Sequence, residues 1–202
     1  NYDITYVNGV LEITKSSKPV VITSGNETWE YDGSDHSYAQ YTVKYGNDET
    51  ITGAEGQTEF TLSTGDKITV SDAASVKYVA DTADKNNTYT YVLGNADQYA
   101  SVTANYGKLT ITQAPLTITA DSAKKEYDGK ALTDNGWQDT EPVGLKGTDA
   151  VESVTVTGTI TNVGKKDNVA SAAVVKNGDT DVTPNYDITY VNGVLEITKS
   201  SK

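Results

Sequence analysis

Apolar and polar residues alternate strictly in several short runs of this chain. The clearest runs are residues 68–70, 109–112, 116–119, 154–157 and 195–198. A period of two places one face of a strand on a core and the other in water. Helical periodicity is weak: residues 73–84 could form a short helix and 95–100 a single turn, whereas proline and glycines argue against a long helix across 139–150. The pattern predicts a mainly β chain.

Turn-forming residues separate these runs. Asn8-Gly9 and Asn192-Gly193 predict tight hairpins, because Asn-Gly favours the positive φ angles of hairpin turns. The pairs Asp32-Gly33 and Asp128-Gly129 also predict turns, as do the polar stretches 46–48 and 177–179. The chain therefore reads as short strands joined by tight connections.

The same eighteen residues stand at both ends of the chain. Residues 1–18 and 185–202 both read NYDITYVNGVLEITKSSK, 184 positions apart. This identity predicts a segment of a tandem array, which favours extension or multivalency over catalysis. Residues 1–18 are then expected to be the closing hairpin of the preceding repeat. Residues 185–202 are expected to close their own module, with Leu195 and Ile197 in its core.

A weaker repeat lies inside the long one. A proline-led strand followed by Glu-Tyr-Asp-Gly occurs at 19–33 and again 96 positions later at 115–129. A Gly-x-Leu-x-Ile-Thr stretch begins at Gly107 and again at Gly193, 86 positions later. These spacings predict two modules, A (19–113) and B (114–202). Their short, proline-bearing junctions restrict hinge motion and favour an end-to-end arrangement.

Composition narrows the class of protein. The 202 residues carry a net charge of −12, with sixteen Lys and no Arg. The acidic balance and the missing Arg count against nucleic-acid and membrane binding. Cys and Met are absent, which excludes disulfides, thiolate chemistry and soft metal sites. Thr (30), Val (21) and Tyr (14) outnumber Leu (8), which is a strand composition.

No pattern of residues predicts catalysis. The two Tyr-Asp-Gly triplets are interpreted as turns, in which Asp bonds the backbone and Gly supplies positive φ, rather than as cation sites. The only histidine, His36, lies in a polar run and is expected to face solvent in a loop. We therefore expect no catalytic, cofactor-binding or metal-binding residue, and no enzyme activity.

Three other chemistries were weighed against structural roles. The acidic residues Asp179, Asp181 and Asp187, like those near Asp48 and Glu49, lack the spacing of a calcium loop. A Lys–Asn isopeptide bond would require a buried Lys, Asn and carboxylate in contact, and we expect none. Trp29 and Trp137 do not occupy equivalent positions, so core or edge packing is favoured over a repeated sugar platform.

The repeated motifs resemble a known group of modules. The residues that carry the resemblance are the two Tyr-Asp-Gly triplets, 158–164 (GTITNVG), 185–190 (NYDITY) and 193–199 (GVLEITK). They are similar to the MBG and YDG repeat modules of bacterial cell-surface proteins, which are related to the mucus-binding protein B2 domain. Module B matches along most of its length and module A at both ends. The resemblance implies small β-grasp-like modules and no catalytic residue. An immunoglobulin-like sandwich is the alternative fold.

The function expected from these features is structural. The segment would be a stalk or spacer of a long tandem-repeat adhesin, extracellular and at the bacterial cell wall, that projects a distal binding domain. Its partners would be neighbouring identical repeats of the same chain, and it would otherwise be monomeric. The alternative is a repeated binding module that gives multivalent adhesion to mucin, a glycan or a host protein.

Overall fold

The computed structural model describes residues 1–139 and 143–201. Within them lie eighteen strands and three single-turn 3-10 helices, so the predicted mainly β fold is confirmed. None of the helices in this part of the chain is long and apolar enough to span a bilayer.

The strands are short, with two exceptions late in the chain. Their bounds are β1 (Val20–Ser24), β2 (Glu27–Glu30), β3 (His36–Ser37), β4 (Tyr41–Tyr45), β5 (Glu49–Thr52), β6 (Glu59–Thr61), β7 (Lys67–Ser71), β8 (Ser75–Val76), β9 (Thr90–Leu93), β10 (Val102–Asn105), β11 (Leu109–Thr112), β12 (Ala114–Thr119), β13 (Ala123–Glu126), β14 (Ala150–Thr157), β15 (Gly164–Asn177), β16 (Thr180–Asp181), β17 (Tyr186–Val191) and β18 (Gly193–Thr198). The helices are Val79–Asp81, Ala96–Gln98 and Thr183–Asn185.

Every alternating run predicted as a strand lies in one. The runs fall in β7, β11, β12, β14 and β18, and the burial of β12 and β18 follows the period of two. The single turn expected at 95–100 is confirmed by Ala96–Gln98. The short helix considered at 73–84 is reduced to Val79–Asp81. Of the segment 139–150, residues 140–142 lie outside the described residues.

The chain divides into two compact units that are not contiguous in sequence. Unit 1 comprises Asn1–Asn26, Ser37–Ala74 and Lys85–Lys108, and unit 2 comprises Glu27–His36, Ser75–Asp84 and Leu109–Lys202. Residues 27–36, 75–84 and 109–113 therefore pack in unit 2, although the sequence repeat placed them in module A.

Unit 1 contains a four-stranded sheet in the order β10-β1-β4-β5 and a three-stranded sheet in the order β6-β7-β9. Its first and last strands, β1 and β10, are parallel, with Val20 opposite Val102. The core of this unit is aliphatic and aromatic: Val20, Ile22, Tyr41, Val43, Phe60, Leu62, Ile68, Val70, Tyr89, Leu93 and Tyr99.

Unit 2 contains three parallel strand pairs, β2–β11, β12–β17 and β13–β18. The last pair continues into a sheet of order β13-β18-β15-β14, with β16 on β15. Leu195 and Ile197 of β18 are buried, as predicted. Parallel pairing of early with late strands departs from the antiparallel sheets of an immunoglobulin-like sandwich.

The hairpin predicted at Asn192-Gly193 is wrong. Strands β17 and β18 do not pair with each other, because β17 pairs with β12 and β18 with β13 and β15. A Cβ on Gly193 would lie 2.0 Å from the backbone oxygen of Asp121, so the glycine permits a close crossing of two backbones rather than a turn. The predicted turns at Gly33, Gly129, 46–48 and 177–179 are confirmed by positive φ at their glycines.

The N-terminal copy of the duplicated segment has a different structure from the C-terminal copy. None of residues 1–18, all of which the structure describes, lies in a strand, so the hairpin predicted at Asn8-Gly9 is also wrong. Leu11 and Ile13 are fully exposed, whereas Leu195 and Ile197 are buried. The hydrogen bonds of this segment to unit 1 come from its last residues: the Ser16 amide donates to the Gln98 carbonyl (2.8 Å), Ser16 Oγ bonds the Tyr45 hydroxyl (2.7 Å), and Lys18 Nζ donates to Asp48 (2.6 Å).

Candidate functional site

The two Tyr-Asp-Gly triplets form the same turn. Asp32 Oδ1 accepts a hydrogen bond from the Ser34 amide (2.8 Å), and Asp128 Oδ1 accepts one from the Lys130 amide (2.9 Å). The glycines have φ of 81° and 76°. The Ser34 bond lowers the pKa of Asp32, and a bond from the Lys125 ammonium lowers that of Asp128. The interpretation of these triplets as turns is confirmed.

The tyrosines of the two triplets have the same backbone position. The Tyr31 amide donates to the Thr112 carbonyl, and the Tyr127 amide donates to the Thr198 carbonyl; the N···O distance is 2.9 Å in both bonds. Their side chains differ, because Tyr31 is 1% exposed and Tyr127 is 45% exposed. The inner sequence repeat is therefore also a repeat of backbone structure, but the side chains of its two tyrosines have different surroundings.

Tyr31 belongs to a buried carboxylate cluster in unit 2, which we call the Asp149 node. Asp149 Oδ2 accepts hydrogen bonds from the Tyr186 hydroxyl (2.6 Å) and the Tyr31 hydroxyl (2.9 Å), and Oδ1 accepts one from Asn177 Nδ2 (2.7 Å). Asp149 is 7% exposed. The carboxylate is satisfied by three donors, as a buried charge requires. Burial, and then the bond to Asp149, raises the pKa of both tyrosines well above the ordinary range.

Unit 1 contains the equivalent cluster, the Asp66 node. Asp66 Oδ2 accepts from the Tyr99 hydroxyl (2.6 Å) and Oδ1 accepts from Asn95 Nδ2 (2.8 Å). Asp66 directly precedes β7, as Asp149 directly precedes β14. Hydrogen bonds from Tyr99 and Asn95 lower the pKa of Asp66. Sequence reasoning missed both nodes, because Tyr31 and Asp149 are 118 positions apart and no local motif marks either carboxylate.

A second pair of equivalent features marks the places where strands cross. In unit 1, Asn87 Nδ2 donates to the Gly25 carbonyl (2.9 Å), and a Cβ on Gly107 would lie 2.0 Å from that same oxygen. In unit 2, Asn168 Nδ2 donates to the Asp121 carbonyl (2.9 Å), beside Gly193. Both asparagines are fully buried. These contacts hold the parallel pairs in place and have the chemistry of structural bonds.

His36 lies in a two-residue strand rather than in the loop expected for it. Its ring stacks on Trp29, with centroids 5.0 Å apart, and Nε2 is 3.0 Å from Asp32 Oδ1. Asp32 also accepts the Ser34 amide in the turn. The histidine therefore packs between Trp29 and a residue that already has a structural role. No serine, threonine or lysine nucleophile is hydrogen-bonded to it within the described residues.

Trp137 packs at the edge of a core, as predicted, whereas Trp29 stacks on His36. Trp137 lies against Ala120, Val156 and Ala170. A shallow groove of about 730 Å³ opens nearby in unit 2; it is lined by Asn135, Val156, Thr157, Gly158, Thr159, Lys166, Asp167 and Val169. No aromatic residue is among these lining residues, so the groove lacks the stacking surface of a sugar platform.

Three of the five acidic residues weighed as calcium ligands have other contacts. Asp48 pairs with Lys18, Glu49 accepts hydrogen bonds from Ser63, and Asp181 accepts the Thr183 amide. Among residues 1–139 and 143–201, no group of three or more acidic or histidine side chains is arranged to hold a metal ion. The buried polar residues in the same described ranges are Ser24, Asn87, Asp149, Asn168 and Asn185. A Lys–Asn isopeptide bond requires a buried lysine, and no lysine is among these residues.

No protein-family model, no curated protein and no solved structure matches the chain. The interpretation of its role therefore depends on its own repeats and contacts.

Proposed function

We propose that this chain is a stalk or spacer segment of a tandem-repeat bacterial cell-surface adhesin. The observation that carries the proposal is repetition at two levels. Eighteen residues recur identically 184 positions apart, and the two inner modules share their turns, strand crossings and carboxylate nodes. Arrays of similar units are suited to length and repeated presentation rather than to a single reaction.

The chemistry of the side chains supports the same proposal. The buried Asp149 carboxylate accepts hydrogen bonds from three side chains, and the amides of the buried Asn87 and Asn168 donate to backbone carbonyls at the strand crossings. Tyrosines with a raised pKa and a carboxylate that accepts from three donors are stable partners, not acids or nucleophiles at neutral pH. The net charge of −12 favours solubility, because copies with like charge repel one another.

Solution scattering on chains of one, two and three repeats tests the proposal. A strand of about ten residues spans roughly 33 Å, so each added repeat of a stalk should extend the longest dimension by a constant few tens of ångströms. A longest dimension that barely grows with repeat number would overturn it.

The alternative, a repeated binding module, is tested separately. The groove beside Trp137 is the surface that favours it. Binding of mucin or a glycan array by the chain, lost on a Val169→Lys substitution in the groove, would support the binding module. Retained binding in this variant would exclude that surface.

A further inference from the structure

The chain has two Tyr-Asp-Gly tyrosines and two carboxylate nodes, but the structure pairs only one tyrosine with one node. In unit 2 the Asp149 node receives the Tyr-Asp-Gly tyrosine, Tyr31, as its third donor. In unit 1 the Asp66 node also has one asparagine and one tyrosine donor, Asn95 and Tyr99, and among the described residues its only other donor is the nearby Thr64 hydroxyl, at 3.4 Å. Tyr127, the second Tyr-Asp-Gly tyrosine, is nearly half exposed. With respect to the described residues, a free donor (Tyr127) and an open acceptor (Asp66) thus lie on the same molecule.

The two nodes correspond atom by atom. In each, the asparagine amide contacts Oδ1, at 2.8 Å for Asn95 and 2.7 Å for Asn177. In each, a tyrosine hydroxyl contacts Oδ2 at 2.6 Å. An ionised carboxylate offers about four acceptor sites, so Asp66 can accept a further donor as Asp149 does. The lowered pKa of Asp66 keeps it ionised at neutral pH, which strengthens such a bond.

We propose that the Tyr127 hydroxyl of one copy of this chain donates a hydrogen bond to Asp66 in unit 1 of a second copy, the next repeat of the array. This contact rests on the proposed stalk function and would repeat at each junction between neighbouring 184-residue repeats. The precedent is the Tyr31–Asp149 bond of unit 2. Donor and acceptor lie on different units of the chain, so the same contact can recur from each repeat to the next along the array.

Chain connectivity favours this occupant over a foreign partner. The residues that follow β18 are identical to those that precede Pro19, so a following repeat would begin a few residues after the β13–β18 pair that carries Tyr127. A short link converts a weak contact into an intramolecular one at high effective concentration. The side chains involved are a neutral phenol and an aspartate, which need no further ligand.

Photo-crosslinking in a two-repeat chain locates the contact. In this chain residues 19–202 of a second copy follow residue 202 of the first, and Tyr127 of the first copy is replaced by p-benzoylphenylalanine. We expect adducts on second-copy peptides that contain Asp66, Asn95 or Tyr99. The matched control carries the same photoprobe at Tyr2, which is 96% exposed, and should give none there. Adducts elsewhere, none at all, or equal labelling by the control would overturn the proposal.

A double-mutant cycle in the same two-repeat chain tests the bond itself. Tyr127→Phe in the first copy should raise the unfolding constant of the second-copy unit 1 roughly tenfold, as for loss of a hydrogen bond to a charged group. In the presence of second-copy Asp66→Asn this effect should shrink. The same Tyr127→Phe in the 202-residue chain is the reference and should change little. Effects of the two substitutions that simply add would overturn the proposal.

Failure of this contact and failure of the stalk are distinguishable. A longest dimension that grows with repeat number, without the crosslink, removes the Tyr127–Asp66 bond and leaves the stalk. A dimension that does not grow removes the stalk itself.

Discussion

At the scale of single residues, identical amino acids take different roles according to their surroundings. Gly9 and Gly193 occupy the same place in the duplicated segment, yet a Cβ would meet nothing within 4 Å at Gly9 and backbone at Gly193. Tyr2 is exposed, while Tyr186 is buried and donates to Asp149. Each N-terminal residue is therefore a control for its C-terminal copy, with the same neighbours in sequence.

Replacement of Gly193 by alanine should destabilise unit 2. The added Cβ must move two backbones apart at the strand crossing, which costs about 1–3 kcal/mol or more, as overpacking does. Urea unfolding followed by far-UV circular dichroism measures the loss. The control Gly9→Ala should leave the midpoint unchanged, and equal effects of the two substitutions would show that no crossing exists at Gly193.

Replacement of Tyr186 by phenylalanine should also destabilise unit 2. It removes one of three donors from a buried carboxylate, and a hydrogen bond to a charged group contributes about 1.5–3 kcal/mol. The thermal unfolding midpoint checks this loss. Tyr2→Phe should have no measurable effect, so a similar fall in both variants would argue against the Asp149 node.

Stability should fall in alkali because of the same tyrosine. Burial, and then Asp149, raises the pKa of Tyr186 in the folded state above the unfolded value of about 10. A raised pKa contributes stability that is complete below the unfolded pKa and is lost as pH rises above it. Urea midpoints measured from pH 8 to 11 should therefore decline above about pH 10. The decline should be shallower in Tyr186→Phe, and an identical slope in both proteins would contradict this assignment.

At the scale of elements, one sequence forms two structures. Residues 186–198 lie almost entirely in strands β17 and β18, and the identical residues of the N-terminal copy lie in none. The difference is the presence of partner strands β12, β13 and β15 for the C-terminal copy. An isolated pair of strands is marginal in water, so local sequence preference does not suffice.

Leu195→Ala and Leu11→Ala measure what those partners contribute. Leu195 is 0% exposed and Leu11 is 102% exposed, relative to a free side chain. Truncation of a buried leucine costs about 2–5 kcal/mol, so Leu195→Ala should lower the urea midpoint strongly and Leu11→Ala should not. A strong effect of Leu11→Ala would show that residues 1–18 fold onto the molecule in solution.

The sequence predicts the strands well and their partners poorly. The alternation in 116–119 identifies the buried face of β12, because burial follows the period of two. It carries no information on pairing, and so it does not predict the parallel neighbour β17, whose residues are 72 positions away. Asn-Gly at 192–193 was misread because a glycine that permits close approach looks the same as one that permits a turn. The carboxylate nodes depend on contacts between distant residues and leave no local pattern.

At the scale of the whole molecule, the repeat in sequence and the unit in space are out of phase. Unit 2 includes β2, β11 and the helix Val79–Asp81, which precede module B in the chain. Within that unit, Tyr31 bonds Asp149 and the Val79 amide bonds Asn185 Oδ1 (2.9 Å). A fragment that begins at residue 114 lacks Tyr31 and Val79, the donors of these two hydrogen bonds.

The fragment 114–202 should therefore be less stable than the same residues in the whole chain. Its core loses β2 and β11, and Asp149 loses a donor, which raises the cost of burying the carboxylate. Urea unfolding monitored by Trp137 fluorescence, with Trp29→Phe in the whole chain so that one tryptophan reports, compares the two. Equal midpoints would show that module B folds independently, as the sequence repeat alone predicts.

The parallel pairing of early and late strands has a mechanical consequence. The chain enters each pair through the first strand and leaves through the last, and β12 and β17 are joined over six residue pairs. Tension applied along the polypeptide pulls two parallel neighbours in opposite directions, so their hydrogen bonds are sheared together instead of being unzipped one after another. Rupture under load is governed by the unfolding rate rather than by equilibrium stability. A module with modest stability can thus hold under tension, as the proposed stalk would require.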